Sequence, residues 1–96
     1  EWRALHDPLT GLANRQNFLA RLQAHPGGER RGDAGLRAIL SMDFDRFKLI
    51  NDVHGHQVGD ELLCAIGKRL LTMVREQDLI ARFGGDEFII LLVDAG

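Results

Sequence analysis

The feature that most constrains the fold is a pair of adjacent glycines between two β-prone runs. Gly84 and Gly85 lie between "DLIARF" (residues 78–83) and "EFIILLV" (residues 87–93). A two-residue hairpin turn demands positive φ angles, which glycine accepts without steric cost. The pattern therefore predicts a β-hairpin with the glycine pair as its turn. The second run is apolar from Phe88 to Val93, which is typical of a strand buried on both faces or interior to its sheet.

Upstream of the hairpin, the spacing of apolar residues predicts three helices. Asn14 is a good N-cap for a helix over residues 15–23. A short helix capped by Asp45 and ended by Gly55 is then followed by a longer helix within residues 56–76. The predicted apolar stripe of the longer helix, which we expect to face the core, consists of Leu62, Leu63, Ile66, Leu70, Met73 and Val74.

A strand is predicted before the last two helices, over residues 36–44. Its alternation places Leu40, Met42 and Phe44 on one face and Ile39, Ser41 and Asp43 on the other. We expect a buried strand that ends in an acid. The preceding residues 26–35 are rich in glycine and charge, which predicts an exposed, mobile loop within the domain.

Carboxylates from distant parts of the chain are predicted to meet at one edge of the sheet. A crossover through helices normally makes the second strand parallel to the first, so both strands end at the same edge. The hairpin then places Asp86 close to Asp43, with the third strand running back antiparallel between the other two. Such carboxylates repel one another unless a cation or a proton lies between them. Asp86 and Glu87 alone could be solubilising charges, but an acid at position 43 favours a metal.

Mg²⁺ suits this predicted edge because it takes one or two protein carboxylates and completes its shell with phosphate oxygens and water. The glycine pair has no side chains, so a phosphate chain can approach the backbone closely. The sequence thus points to a metal-assisted site for a phosphorylated ligand.

Composition excludes several other classes of protein. The chain has 96 residues, with 12 Lys and Arg against 14 Asp and Glu, and is at most one small domain or part of one. A net charge of -2 indicates neither a nucleic-acid partner nor direct membrane contact. The single Cys64 is interpreted as a core residue, and the absence of a signal peptide predicts a cytoplasmic setting.

Four blocks of the sequence resemble a known family in order and spacing. They are "DPLTGLANR" (residues 7–15), "MDFDRFKLINDVHGHQVGDELL" (42–63), "REQDLIA" (75–81) and "RFGGDEF" (82–88). Together they resemble the GGDEF domains, the diguanylate cyclases that condense two GTP molecules into cyclic di-GMP. The resemblance implies an α+β, ferredoxin-like nucleotidyl-cyclase-type antiparallel sheet with helices packed on it. Residues 1–96 would be a partial GGDEF domain that lacks the final helix and strand.

The resemblance also assigns roles at the acidic edge. Asp43 and Asp86 would hold Mg²⁺, or Mn²⁺ in its place, with the Phe44 carbonyl as a further ligand. Asp86 is the candidate for activating the attacking 3′-hydroxyl, and Glu87 would support the site. These catalytic and metal roles agree with the convergence of acids that the residues themselves predict.

Substrate-binding roles fall on the helices and the turn. Asn51 and Asp60 match the guanine-reading pair of the family, and their hydrogen-bonding groups suit the guanine edge. The alternative for Asp60 is a first-turn acid stabilised by the helix dipole. Lys48 matches a phosphate contact and Phe47 a wall of the base pocket. The remaining substrate-binding positions are Gly84 and Gly85.

A second site is implied by Arg75 and Asp78, an R-x-x-D pair separated from Gly84 by five residues. Its spacing resembles the inhibitory product site of the family, where an arginine fork and a carboxylate bind cyclic di-GMP. Taken alone, R-x-x-D is usually a solvated helix end.

The resemblance implies that GTP is the substrate, that cyclic di-GMP is product and inhibitor, and that a homodimer carries out the reaction. It also implies a sensor or receiver domain upstream in the parent protein. The chain alone is expected to be inactive, because the family segment that supplies cations for the terminal phosphates is missing. The alternatives are a non-catalytic module that binds GTP or cyclic di-GMP, and an interaction fragment without activity.

Overall fold

The computed structural model describes residues 2–24, 37–44 and 46–93. Its elements are α1 (Trp2–Leu5), α2 (Arg15–Ala24), β1 (Arg37–Asp43), α3 (Phe47–His54), α4 (His56–Leu71), β2 (Leu79–Gly84) and β3 (Glu87–Val93). The predicted mobile loop at residues 26–35 lies outside the described residues. Short α1 is the element that the sequence pattern did not predict.

The sheet has the strand order β1-β3-β2, with β3 antiparallel to both neighbours. Strands β1 and β2 are therefore parallel to each other, as predicted from the helical crossover. The central place of β3 explains its unbroken apolar run, because helices cover both of its faces. Phe88 and Ile90 pack in one core cluster with α3 and α4, while Ile89 and Leu91 pack in another with α2.

Helix α2 begins as predicted, because the Asn14 side chain caps it. Asn14 Oδ1 accepts a hydrogen bond from the Asn17 backbone N–H at 2.9 Å. The α2 residue that is buried is Phe18, which meets Phe83 of β2 edge-on at 5.5 Å between ring centroids. Helix α2 is thereby fixed against one face of the sheet.

Two helix boundaries differ from the prediction. The N-cap of α3 is Arg46, at φ 68° and without a side-chain cap, whereas the predicted cap Asp45 lies outside the described residues. Helix α4 ends at Leu71, so Met73 lies beyond it and is 69% exposed instead of in the apolar stripe. At the end of the helix the Thr72 and Met73 backbone N–H groups donate to the Arg69 and Leu70 carbonyls, three residues back, and the Thr72 hydroxyl also donates to the Arg69 carbonyl. These bonds satisfy carbonyls of the last turn and close the helix.

Two features of the sheet also differ from the prediction. Strand β1 was predicted to be buried, but its residues are exposed except for Met42, because β1 is an edge of the described sheet. The hairpin turn consists of Gly85 and Asp86, one residue later than predicted, because Gly84 still pairs with Glu87 across an irregular register.

The longest described helix, α4, has 16 residues. Among the residues that the structure describes, none of the helices is long and apolar enough to cross a membrane.

Candidate functional site

The acidic edge predicted from the sequence is present in the strand register. Asp43, the last residue of β1, lies directly opposite Glu87, the first residue of β3. Directly opposed residues of antiparallel strands project from the same face of the sheet. Asp86 immediately precedes Glu87, in the turn, so three acids lie at this one end of the β1–β3 pair.

The turn beside these acids leaves its backbone open to a ligand. Gly84 has φ 138° and Gly85 has φ 52°, and a Cβ at either position would meet no atom within 4 Å. Glycine is needed here for backbone conformation, because other residues rarely adopt positive φ. The lack of neighbours means that the same two residues expose a bare backbone surface next to Asp86.

The three acids lack a protein counter-charge in the described part of the chain. The ion pairs there are Lys48–Asp52, Arg75–Asp78 and Arg82–Asp7. Like charges directly opposite one another on a sheet are destabilising. The arrangement of Asp43 and Glu87 is therefore one that a bound cation would stabilise.

The donor set at this edge fits a hard cation that brings further ligands with it. Within residues 2–24, 37–44 and 46–93, no group of three His, Cys, Asp or Glu side chains is already arranged to hold a metal ion. Mg²⁺ requires only one or two carboxylates when phosphate oxygens and water fill its shell. The Phe44 carbonyl, a predicted ligand, accepts the Phe47 N–H at 3.3 Å and retains a second lone pair.

The predicted base-reading residues meet where α3 packs against α4. Asn51 of α3 lies against Gly59, the residue before Asp60 in α4. The Asn51 Oδ1 atom is buried and has no hydrogen-bond partner. Phe47 is buried in the core cluster below this junction, while Asp60 is exposed. The structure thus brings Asn51 next to the start of α4, with Phe47 as the apolar floor.

A cavity of about 520 Å³ lies beside Asp60, between α4 and the loop after α1. Its lining residues are Leu9, Gln57, Asp60, Glu61, Cys64, Ala65 and Lys68. Cys64 is partly buried, and its thiol donates to the Leu9 carbonyl at 3.2 Å. Asn51 does not line this cavity, so Asp60 lies between two distinct surfaces.

Lys48, the predicted phosphate contact, is not directed at the acidic edge in this structure. Its ammonium pairs with Asp52 one turn along α3 at 3.2 Å, and its side chain is 88% exposed. A pair this exposed contributes little to stability. The Lys48 side chain can therefore leave Asp52 and contact a ligand at a small cost in free energy.

A connection between the turn and the N-terminal loop was missed in the sequence. Asp7 Oδ2 accepts both the backbone N–H and the hydroxyl of Thr10, each at 2.8 Å. Arg82 Nη1 donates to Asp7 Oδ1 at 2.8 Å, and Arg82 Nε donates to the Gly85 carbonyl at 3.0 Å. The turn could have been predicted, because an Asp followed three residues later by a Thr is a common turn pattern. The Arg82–Asp7 ion pair has no such pattern in the sequence.

The predicted product site is a compact turn that closes the far end of the sheet. Asp78 Oδ2 accepts the Arg75 backbone N–H at 2.8 Å, and Oδ1 accepts the Val93 N–H at 3.0 Å. Arg75 Nη2 donates to the Val93 carbonyl at 2.7 Å, and the Arg75 side chain is 57% exposed. The Asp78 side chain is only 2% exposed. Arg75 is therefore accessible to a ligand, whereas the buried Asp78 carboxylate accepts hydrogen bonds from backbone N–H groups.

Hydrogen bonding also sets the charge state of this turn. Burial by itself would raise the pKa of the Asp78 carboxyl. The Val93 and Arg75 N–H groups, together with the Arg75 guanidinium, outweigh burial and hold that pKa below its ordinary value. Asp78 is thus a stable carboxylate near neutral pH.

Comparison with known proteins gives a family match over nearly the whole chain. Residues 4–96 match the family described as "Diguanylate cyclase, GGDEF domain". The chain is 47% identical over 89 residues to the bifunctional diguanylate cyclase/cyclic di-GMP phosphodiesterase MucR of Pseudomonas aeruginosa. That match covers 93% of this chain and 13% of MucR.

Solved structures give the same answer for the fold. A structure of TpbB from Pseudomonas aeruginosa that comprises only the GGDEF domain has a TM-score of 0.83 at 45% identity, covering 95% of this chain and 52% of that one. The GGDEF domain of DgcB from Caulobacter crescentus, in complex with c-di-GMP, has a TM-score of 0.84 at 30% identity. That match covers 97% of this chain and 54% of that one. The described sheet and helices match about half of each of these chains.

Proposed function

Because this chain belongs to the GGDEF domain family of diguanylate cyclases, we propose that it forms part of an enzyme that condenses two GTP molecules into cyclic di-GMP. Pyrophosphate is the second product. The observation that carries the proposal is the strand register, which pairs Asp43 with Glu87, the residue that follows Asp86 in the chain. Three acids that form no ion pair with another described residue, beside a bare glycine backbone, suit a metal-bound triphosphate.

The acidic edge would hold Mg²⁺ or Mn²⁺ through Asp43 and Asp86, with the Phe44 carbonyl as a third ligand. A bound divalent ion neutralises phosphate charge and supports the charge that develops in phosphoryl transfer. Glu87 lies opposite Asp43 and supports the same edge. Gly84 and Gly85 allow the phosphates to approach the backbone.

The chemical step is an attack by the 3′-hydroxyl of one GTP on the α-phosphate of another. Asp86 accepts the hydroxyl proton, an oxygen–phosphorus bond forms, and the bond to pyrophosphate breaks. Each protomer of a homodimer holds one GTP, so two such attacks close the ring. Catalysis then consists of positioning and charge stabilisation.

The α3–α4 junction would select the base. Asp60 can accept hydrogen bonds from the N1–H and 2-amino groups of guanine, and the Asn51 amide can meet N3. Phe47 supplies the apolar floor. Lys48 would leave Asp52 to contact a phosphate.

Alanine substitution of the acidic edge tests the metal assignment. We expect Asp43→Ala and Asp86→Ala each to abolish Mg²⁺-dependent cyclic di-GMP synthesis by the full-length protein, measured by product chromatography. Circular dichroism should remain unchanged, because both residues lie at the end of the sheet. Glu76→Ala, which removes an exposed acid outside the site, is the matched control. Turnover at the wild-type rate in either site variant would contradict the assignment.

Titration of GTP with Mg²⁺ into the wild-type protein separates the enzyme from the alternative. GTP binding without product would indicate a regulatory module that binds nucleotide and does not catalyse. The same titration of the 96-residue chain by itself tests whether the chain can bind the terminal phosphates of GTP. Weak binding and no product would show that it lacks those contacts.

Product inhibition through Arg75 is the second part of the proposal. The exposed Arg75 guanidinium offers a fork to a phosphate or a guanine. We expect Arg75→Ala to relieve inhibition by added cyclic di-GMP without lowering the initial rate, because Arg75 lies at the opposite end of β2 from the hairpin. An unchanged inhibition constant would remove Arg75 from the account.

A sensor or receiver domain upstream, which would bring two protomers together, also belongs to this proposal. The chain spans only 13% of MucR, so such a relative has ample length for other domains.

A further inference from the structure

Gly59 is the fourth residue of α4, its N–H already donates to the carbonyl four residues back, that of Gly55, at 3.2 Å, and it is buried against α3. A Cβ at this position would overlap Asn51 Oδ1 and lie 2.9 Å from Asn51 Cγ. The next neighbour, Phe47 Cζ, would be at an ordinary contact distance of 3.4 Å. The Asn51 carboxamide therefore occupies the space that any side chain at position 59 would need.

We propose that Gly59 is a positioning residue for base recognition, because its missing side chain seats the Asn51 carboxamide at the α3–α4 junction. The inference rests on the proposed function, in which Asn51 meets a purine base. Asn51 is partly exposed, and its Oδ1 is buried against Gly59, which leaves the amide nitrogen as the side-chain polar group that can meet a ligand. Its natural partner is a ring-nitrogen acceptor of the base, such as N3.

Helix energetics argue against an accidental glycine at this position. Glycine in a helix interior is less favourable than alanine by about 1 kcal/mol, so a structural gain must offset that cost. The second buried glycine of α4, Gly67, faces a different neighbour: a Cβ there would lie 3.2 Å from Leu12 Cδ1. Leu12 Cδ1 is the end of a side chain that can move slightly, whereas the Asn51 amide has to keep its orientation to read a base.

A displaced Asn51 loses one hydrogen bond to the base. In the full-length protein we expect Gly59→Ala to weaken GTP binding about tenfold in isothermal titration, as Asn51→Ala does. Gly67→Ala adds the same methyl group to the same helix and is the matched control, with GTP affinity within about twofold of the wild type.

The double variant Asn51→Ala/Gly59→Ala is the decisive measurement. Removing the Asn51 amide creates room for the new methyl group, so the double variant should bind GTP no more weakly than Asn51→Ala alone. Urea denaturation should show the same relation: Gly59→Ala lowers the midpoint, and adding Asn51→Ala restores it. A Gly59→Ala protein that binds GTP like the wild type, or losses that add in the double variant, would overturn the inference.

The two measurements also separate this inference from the proposed function. If the wild-type protein fails to bind GTP, the proposed function fails, while the urea midpoints still report whether Gly59 seats Asn51. If Gly59→Ala does not fold at all, a folded double variant supports the inference and an unfolded one overturns it.

Discussion

Arg82 connects the hairpin turn beside the candidate site with the N-terminal loop. Its guanidinium donates to the Asp7 carboxylate and to the Gly85 carbonyl, so one side chain connects the N-terminal loop with the hairpin turn. The Arg82 and Asp7 side chains are only 14% and 11% exposed. Sequence reasoning could not find this pair, because it joins residues 75 positions apart and charged residues carry no periodic signal of their partners.

Arg82→Met tests the contribution of this pair to stability. It keeps most of the side-chain volume but leaves the Asp7 carboxylate buried without its cation. We expect the free energy of unfolding to fall by about 3 kcal/mol, as measured by urea denaturation. Adding Asp7→Asn should recover part of the loss, because the uncompensated charge is then gone. Fully additive losses would show that the two side chains do not act as a pair.

Asp78 gives the fold a dependence on pH. Its pKa is lowered in the folded chain, so the carboxylate stabilises the native state at all pH values above its ordinary, unfolded pKa of 3.8. That contribution is lost as the pH falls through the lower, folded pKa. We expect Asp78→Asn to lower the free energy of unfolding by about 2 kcal/mol at pH 7, and the gap from the wild type to narrow below pH 4.

Urea titrations at several pH values measure this gap. Asp52→Asn is the control, because Asp52 is 60% exposed and its pair with Lys48 contributes little. A gap that stays constant between pH 6 and pH 2.5 would contradict the assigned role of Asp78.

At the scale of elements, the hairpin shows what a local pattern can and cannot predict. The limits of β3 were predicted correctly, because a long apolar run between turn residues leaves few alternatives. The turn was placed one residue too early, because Gly84 extends β2 through a register irregularity that depends on pairing with Glu87. The position of Asp43 at the acidic edge was predictable because it depends only on strand direction. Strands β1 and β2 are parallel, so β1 ends at the same edge of the sheet as the hairpin turn.

The two glycines of the hairpin should differ in their response to alanine. Gly85, at φ 52°, is in the left-handed region, where alanine costs about 1 kcal/mol. Gly84, at φ 138°, lies outside that region, in a conformation that almost only glycine adopts. Gly84→Ala should therefore lower the free energy of unfolding by about 2–3 kcal/mol. Neither methyl group would meet an atom within 4 Å, which makes the difference purely conformational. Urea denaturation of both variants measures it, and equal losses would contradict the argument.

At the scale of the whole molecule, β1 is the exposed side of the described sheet. Ile39 and Leu40 are 50% and 47% exposed, and no described strand pairs with the outer side of β1. An exposed strand edge is a template for pairing with another chain. The alternation of apolar residues could not show this, because it distinguishes the two faces of a strand and not its edges. The expectation of a free edge came instead from the family resemblance, which implies a further strand beside β1.

We therefore expect the 96-residue chain to self-associate through β1. Light scattering should show a mass that rises with concentration, and Ile39→Lys should reduce it because a charge discourages edge pairing. Val53→Lys alters an equally apolar residue, 64% exposed, on α3 and is the control. A monomer at high micromolar concentration would refute the edge argument, and an equal effect of the two lysines would point to general apolar contact.

The strand order also indicates the order in which the strands pair during folding. Strands β2 and β3 are joined by a two-residue turn, so their pairing closes a very short loop. Pairing β1 with β3 brings together residues 44 to 56 positions apart and carries a larger entropy cost of loop closure. The hairpin is thus expected to form early and to serve as the surface on which β1 docks. The acidic edge, which needs Asp43 from β1, is then completed only when β1 docks on the hairpin.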